Sequence, residues 1–219
     1  VADRRSVEQV LGKVLKPAVW TGGLLPLGML LFAGVTGGLE ADPVKDITHR
    51  TGKAVLVLLL CTLAVTPVRR LTGWNGVIAA RRPLGLFAYF YACLHFFIYM
   101  GDQGFSPHYI VEDVVKRPYV TAGFTALVLL TPLAVTSTKG WIKRLGKRWT
   151  RLHRLVYAAA VLGVIHFLWS VKKDVREPLI YAAVLALLLA LRIPGWTRAR
   201  KKKSAPRRPI RATSDASAV

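Results

Sequence analysis

Residues 151–170, RLHRLVYAAAVLGVIHFLWS, form an apolar run with a histidine towards each end and no charged group between Arg154 and His166. About 20 such residues are needed to cross the hydrocarbon core of a bilayer as a helix. An ionisable side chain at membrane depth is costly, and it is tolerated where it faces protein and serves a function. A second run, 83–100, carries one more such histidine, His95. In lipid every backbone N–H and C=O must be bonded internally, so runs of this kind fold as helices packed side by side.

The chain is 53% hydrophobic, yet it carries a formal charge of +21 over 219 residues. Those two facts are compatible only if apolar and basic residues are segregated, and they are. Long apolar runs alternate with short basic loops, as in a helical protein that crosses the membrane several times. The charge is accounted for by loops and a tail lying against anionic lipid headgroups, and no nucleic-acid partner is expected. Cys61 and Cys93 both fall inside apolar runs, where a small buried hydrophobe is the expected role. Residues 24–35 could pass for the core of a signal peptide, but no A-x-A-like site follows them and none is expected.

The expected fold is all-α and integral to the membrane, with six transmembrane helices at about 17–36, 50–66, 83–100, 119–135, 151–170 and 179–191. Residues 1–16 form a polar, basic segment, 17–193 the membrane domain, and 194–219 a basic tail expected to be disordered. The N-terminal segment, the second and fourth loops and the tail counted from Arg192 hold 4, 4, 6 and 9 Lys and Arg. The other loops hold 2, 2 and 3 and most of the acids, so both termini are expected in the cytoplasm. No internal repeat stands out.

The third and fifth spans run in the same direction. His95 lies 12 residues beyond Pro83 and His166 lies 14 beyond Leu152, which places both roughly 18–21 Å from the cytoplasmic edge. Two imidazoles at one depth are what an axial pair on a haem iron requires. Ala88 and Ala92 precede His95, and Ala159 and Gly163 precede His166, at spacings of three and seven. Those small side chains would leave room for a flat macrocycle, or would simply let helices pack closely. His153 sits about 20 Å below His166 along the axis, a separation suited to a second haem. Thirteen residues rotate an ideal helix by about 220°, so the two histidines share a face only if the helix is irregular between them. The matching positions on the third span are Arg81 and Arg82, not histidine. Both suit lipid anchoring, haem propionates or a flavin phosphate. His49 opens the second span at a depth that suits contact with the upper haem edge, a partner or a quinone head. His108 sits in an outer loop.

The strings GGLEADPVKDITHRTG, RRPLGL, Leu94–His95, TSTKGWIKRLGKRWTRLHRLVY, IHFLWSVK and PLIY resemble the MsrQ family. These are haem-binding membrane subunits of the protein-methionine-sulfoxide reductase system, within the ferric-reductase-like transmembrane superfamily. The similarity spans about residues 18–193. It implies a b-type cytochrome of the bacterial inner membrane, with one or two haems b linked to His95, His153 and His166. It also implies electron transfer from quinol or a cytoplasmic flavin reductase to a periplasmic molybdopterin subunit, MsrP, which would carry out the sulfoxide chemistry. FMN is associated with the family, and its site maps to nothing beyond the basic inner edge. Two other classes remain open from the sequence: a ferric or cupric reductase, and a transporter whose histidines relay protons without haem.

Overall fold

A computed structural model describes residues 4–171 and 174–192 of the chain. The basic tail expected at 194–219 lies outside the described residues. Among the described residues nine α-helices follow one another: α1 Arg4–Thr36, α2 Pro43–Thr72, α3 Ile78–Asp102, α4 Pro107–Lys116, α5 Pro118–Val135, α6 Lys139–Leu145, α7 Lys147–Leu152, α8 Leu155–Ser170 and α9 Arg176–Ala190. A single 3-10 turn, Asn75–Val77, leads into α3, and there is no strand among the described residues.

Among the described residues five segments are long and apolar enough to cross a membrane: Gly12–Thr36, Pro43–Thr72, Asn75–Asp102, Pro118–Val135 and Lys147–Ser170. They coincide with the first five expected spans. The first belongs to a helix that already begins at Arg4, well inside the segment expected to be polar. The sixth expected span is α9, whose 15 residues reach about 22 Å, short of the roughly 30 Å hydrocarbon core.

The ends of α2 follow ordinary capping chemistry. Asp42 accepts from the Lys45 N–H at 3.1 Å, Pro43 supplies a first helical residue that lacks an N–H, and Gly73 closes the helix at φ 72°. Two helix pairs form the body of the bundle, α2 along α3 and α5 along α8. The pairs are joined by contacts of α3 with α5 and of α2 with α8. Leu59, Leu63, Ala88, Tyr91, Ala159 and Ala160 make the centre of the core, each at most 2% exposed. Helix α1 lies outside and presents Trp20, Leu24, Leu25, Met29, Leu31 and Phe32 outward, as lipid-facing residues should be.

Tyr91 ties α1 to the core. Its hydroxyl donates to the Gly23 carbonyl at 2.8 Å and accepts from the Leu27 N–H at 3.0 Å. Those two groups would bond each other in an unbroken helix. The hydroxyl is therefore inserted into the ladder of α1 next to Pro26, where the helix is already weakened. Gly23 lets Phe87 lie against α1 at a place where any Cβ would overlap its ring.

Helix α9 runs beside α2 in the same direction. Glu177 near its start pairs with Lys53 at 2.7 Å, and at its end Arg70 donates to the Leu191 carbonyl at 3.0 Å. Just past α9, Arg192 donates to the Leu63 carbonyl and to the Thr66 hydroxyl of α2. Pro67 has no N–H to offer Leu63, four residues earlier, so Arg192 satisfies a carbonyl that the helix itself leaves open.

Tyr91→Phe is expected to lower unfolding stability by about 1–3 kcal/mol, because the bridged N–H and C=O lose a buried partner. Thermal unfolding of the detergent-solubilised variant checks this, and an unchanged midpoint would contradict the bridging role.

Candidate functional site

His95 on α3 and His166 on α8 face each other across the middle of the bundle. Their ring centroids are 6.0 Å apart and the rings are nearly perpendicular, at 85°. The expectation that the two imidazoles share one depth is met. Two imidazoles bound to opposite sides of one metal ion, each at about 2 Å, would also have centroids about 6 Å apart.

Each ring is oriented by a backbone carbonyl. The Nδ1 of His95 lies 2.9 Å from the Thr48 carbonyl, and the Thr51 hydroxyl is 3.3 Å from the same nitrogen. The Nδ1 of His166 lies 2.7 Å from the Tyr119 carbonyl. A carbonyl can only accept, so Nδ1 carries the proton in both rings and Nε2 keeps its lone pair. A fixed tautomer with the second nitrogen bonded outward is the arrangement found around metal-ligating histidines.

Both carbonyls are reachable for one reason. Thr48 is followed four residues later by Gly52, and Tyr119 by Gly123. A helical side chain leans back over the preceding turn, so the residue at i+4 covers the carbonyl of residue i. Glycine removes that cover. A Cβ at Gly52 would lie 3.2 Å from His95 Cε1, and one at Gly123 would lie 2.7 Å from His166 Nδ1. The imidazoles occupy the space that a side chain would take.

The two halves of this clamp repeat. Each histidine follows its carbonyl partner by 47 residues, and every member of the second set is numbered 71 above its counterpart. The string LVLL recurs at 56–59 and 127–130, LAVT at 63–66 and 133–136, and His-Phe at 95–96 and 166–167. The expectation of no repeat is thus corrected. A one-residue deletion between LVLL and LAVT, and unlike residues elsewhere, hide the repeat until the paired contacts are seen.

One further reading is corrected. Ala88 and Ala159 are 0% and 1% exposed within the core, and a Cβ on Gly163 would sit 3.2 Å from Leu56. These small residues serve close helix packing rather than an open slot.

His153 lies at the opposite end of α8. The helix expected to be continuous from 151 to 170 breaks there: α7 stops at Leu152, and Arg154 and Tyr157 bond back to residues three earlier. That irregularity removes the rotational objection to His153. Its ring stacks on Trp149 at 3.8 Å, its Nδ1 lies 3.1 Å from the Trp149 carbonyl, and Trp149 Nε1 donates to the Thr136 carbonyl at 2.9 Å. The buried Nε2 of His153 lies towards the Leu133 carbonyl and makes no hydrogen bond of good geometry among the described residues. Arg81 is partly buried within electrostatic range of His153, whereas Arg82 is exposed. His49 packs against Phe167, centroids 5.8 Å apart, rather than joining the facing pair. His108 is exposed beside Glu112 at 3.9 Å. The carbonyl partners, the two glycines, Trp149 and Arg192 are not evident from residue type alone.

The donor set fits a haem held between His95 and His166, since two imidazoles with ring centroids 6.0 Å apart each bond a carbonyl through Nδ1 and so keep the Nε2 lone pair for a metal. Gly123→Val is expected to displace His166 and abolish binding at this pair, while Gly52→Ala, with the looser contact, shifts the spectrum without abolishing it. Optical and electron paramagnetic resonance spectra of haem-supplemented preparations check both, and wild-type spectra in Gly123→Val would contradict the cradle.

Residues 51–164 match the family model for the ferric reductase like transmembrane component. A protein-methionine-sulfoxide reductase heme-binding subunit MsrQ from Rhodospirillum rubrum is 50% identical over 198 residues, covering 90% of this chain and 94% of the relative. The MsrQ of Deinococcus radiodurans is 53% identical over 175 residues, 80% of this chain and 87% of the relative. That of Xanthomonas campestris is 47% identical over 209 residues, 93% and 94% respectively. With its histidine pair inside the matched region and likeness running almost end to end, this chain belongs to the MsrQ family of ferric-reductase-like transmembrane proteins.

Proposed function

We propose that this chain is a b-type cytochrome subunit of the bacterial inner membrane. It carries electrons from quinol or a cytoplasmic flavin reductase to a periplasmic molybdopterin-containing methionine sulfoxide reductase, MsrP, which repairs oxidised periplasmic proteins. The observation that carries this reading is the facing pair His95–His166, rings 6.0 Å apart, each with Nδ1 bonded to a carbonyl. The relatives' name, a heme-binding subunit of a protein-methionine-sulfoxide reductase, supports the same ligand and a system of that kind.

Haem supplies reversible one-electron chemistry at its iron when bound. The chain's own residues do the rest. Nε2 of His95 and Nε2 of His166 would hold the haem iron. Thr48 and Tyr119 hold the rings against rotation, and the Nδ1–H bonds raise the basicity of the ligating nitrogens. The apolar helices exclude water and set a low dielectric around the pair. His153, whose Nε2 makes no hydrogen bond of good geometry, would be the protein ligand of a second haem nearer the basic end. His49, packed on Phe167, the residue after His166, would border the outer haem edge. Arg82, exposed among basic neighbours, suits lipid headgroups or an acidic cofactor arm.

Six spans with both termini cytoplasmic is the topology we propose. The course of α9 beside α2, from Lys53 to Thr66, supports it, because α9 then completes an alternation of directions begun by α1. Its short length suits a thinned or locally adapted bilayer.

The wild-type protein is expected to contain iron and protoporphyrin, with a low-spin reduced spectrum. His95→Ala and His166→Ala are each expected to lose the outer haem, and His108→Ala to retain it. A colourless preparation after haem-supplemented expression would sink the cytochrome reading. For the topology, a fluorescent protein fused at the C-terminus should glow in intact cells and alkaline phosphatase inserted near Gly104 should be active; the reverse pattern would invert the orientation.

A further inference from the structure

We infer that Asp113 is a positioning residue for the facing histidines. It sets the spacing between α3, which carries His95, and the start of α5, which holds His166. The inference rests on the histidine pair of the function proposed above and goes beyond it by assigning Asp113, Tyr99 and Arg117.

Among the described residues two carboxylates are buried, Asp46 and Asp113. Each is followed four residues later by an arginine that pairs with its Oδ1, Arg50 Nε at 2.7 Å and Arg117 Nε at 3.1 Å. The second oxygen is used differently in the two. Oδ2 of Asp46 accepts from the Glu40 N–H at 3.3 Å, so this carboxylate closes its own loop onto the first turns of α2. Oδ2 of Asp113 accepts from the Tyr99 hydroxyl at 3.0 Å, which belongs to another helix. Burying a carboxylate costs desolvation, and donors on both oxygens offset it.

The groups that Asp113 joins stand next to both halves of the histidine clamp. Tyr99 is on α3, one turn beyond His95. Arg117 is the single residue between α4 and α5, with extended backbone at φ −111° and ψ 102°. Its N–H donates to the Asp113 carbonyl at 2.9 Å. Pro118 follows, and its ring leaves little freedom of rotation. Tyr119 comes next and offers the carbonyl that takes Nδ1 of His166 at 2.7 Å. A rotation of the backbone at Arg117 therefore carries the Tyr119 carbonyl with it. The Arg117 guanidinium also reaches the Tyr119 hydroxyl at 3.4 Å, and the Tyr119 ring lies 6.2 Å from the His166 ring.

One carboxylate thus holds α3 with one oxygen and the α4–α5 junction with the other. His95 moves with the first and the carbonyl partner of His166 with the second. The separation of the two rings, and the closeness of Nδ1 of His166 to its carbonyl, both depend on Asp113. A bond from Nδ1–H to a carbonyl makes the opposite nitrogen a better metal donor, so loosening it weakens that donor. Asp46 has no such reach: both its side-chain partners lie within six residues of it, and Thr48 sits inside the unbroken helix α2.

Asp113→Asn removes the charge and keeps the shape, and Asp46→Asn, which removes the other buried carboxylate, is the control. The full-length protein in nanodiscs is read with haem by electron paramagnetic resonance and redox titration. Without haem it is read by nitrogen NMR of isotope-labelled histidines, which reports the ring nitrogen that carries the proton. In Asp113→Asn the low-spin g values of the His95–His166 centre are expected to move and its reduction potential to rise. Its haem affinity falls about tenfold or more. In the haem-free variant His166 passes from the Nδ1–H tautomer to a mixture. Asp113→Glu returns these readings towards wild type, Arg117→Gln reproduces them, and Asp46→Asn leaves them unchanged. Should Asp113→Asn not fold, Arg117→Gln decides, since that guanidinium is half exposed. Wild-type g values, potential and tautomer, with only a lower unfolding temperature, would reduce Asp113 to a structural role and overturn the proposal. An equal response in Asp46→Asn would overturn it too. A wild type that binds no haem would remove the function proposed above, and the His166 tautomer would then decide on Asp113 alone.

Discussion

The bundle is organised around a hydrogen bond that ordinary helices do not offer. A helix carbonyl is already used by the N–H four residues on, and the side chain at that position screens its second lone pair. Gly52 and Gly123 remove the screen, and an imidazole from the neighbouring helix takes the exposed lone pair of Thr48 or Tyr119. The bond fixes three things together: how closely α2 approaches α3 and α5 approaches α8, which nitrogen of each histidine carries the proton, and which way the other nitrogen points. The packing of the two helix pairs and the chemistry available at their centre are one constraint.

Because the same bond occurs twice, the site inherits a near-symmetry from the chain. Thr48, Gly52 and His95 recur as Tyr119, Gly123 and His166, and the cross-contacts α3 with α5 and α2 with α8 recur with the pairs exchanged. A ligand with two equivalent faces, such as a flat macrocycle, suits a site built from two equivalent halves. Helix α1 and helix α9 lie outside this repeat. Each is attached by a polar side chain near a proline: Tyr91 bridges Gly23 and Leu27 beside Pro26, and Arg192 takes the carbonyl freed by Pro67. Proline weakens the helix where an added element has to be held.

Much of this was legible in the residues. Hydropathy located the five long spans, and counting 1.5 Å per residue placed His95 and His166 at one depth. What could not be read was anything that depends on which neighbour a residue meets. The alanines and glycine preceding the histidines looked like space for a cofactor, and the structure uses Ala88, Ala159 and Gly163 to bring helices together. The glycines that matter are on the partner helices, 43 residues before each histidine, where no local pattern links them to an imidazole. The break at His153 was equally invisible, since nothing in RLHRLVY marks a stop. It arises where Trp149 and His153 stack and the chain bonds three residues back instead of four.

The near-symmetry fails at the basic end, and the failure is informative. By the repeat, the counterpart of His153 is Arg82, with Arg81 beside it. One half of the bundle presents an imidazole and the other presents guanidinium groups. A second symmetric clamp cannot form from those groups. The two ends of one repeated framework are thus chemically distinct: the middle of the bundle carries two facing imidazoles, and the other end one imidazole and arginines. That difference gives the bundle a direction, although the helices that build it are repeated.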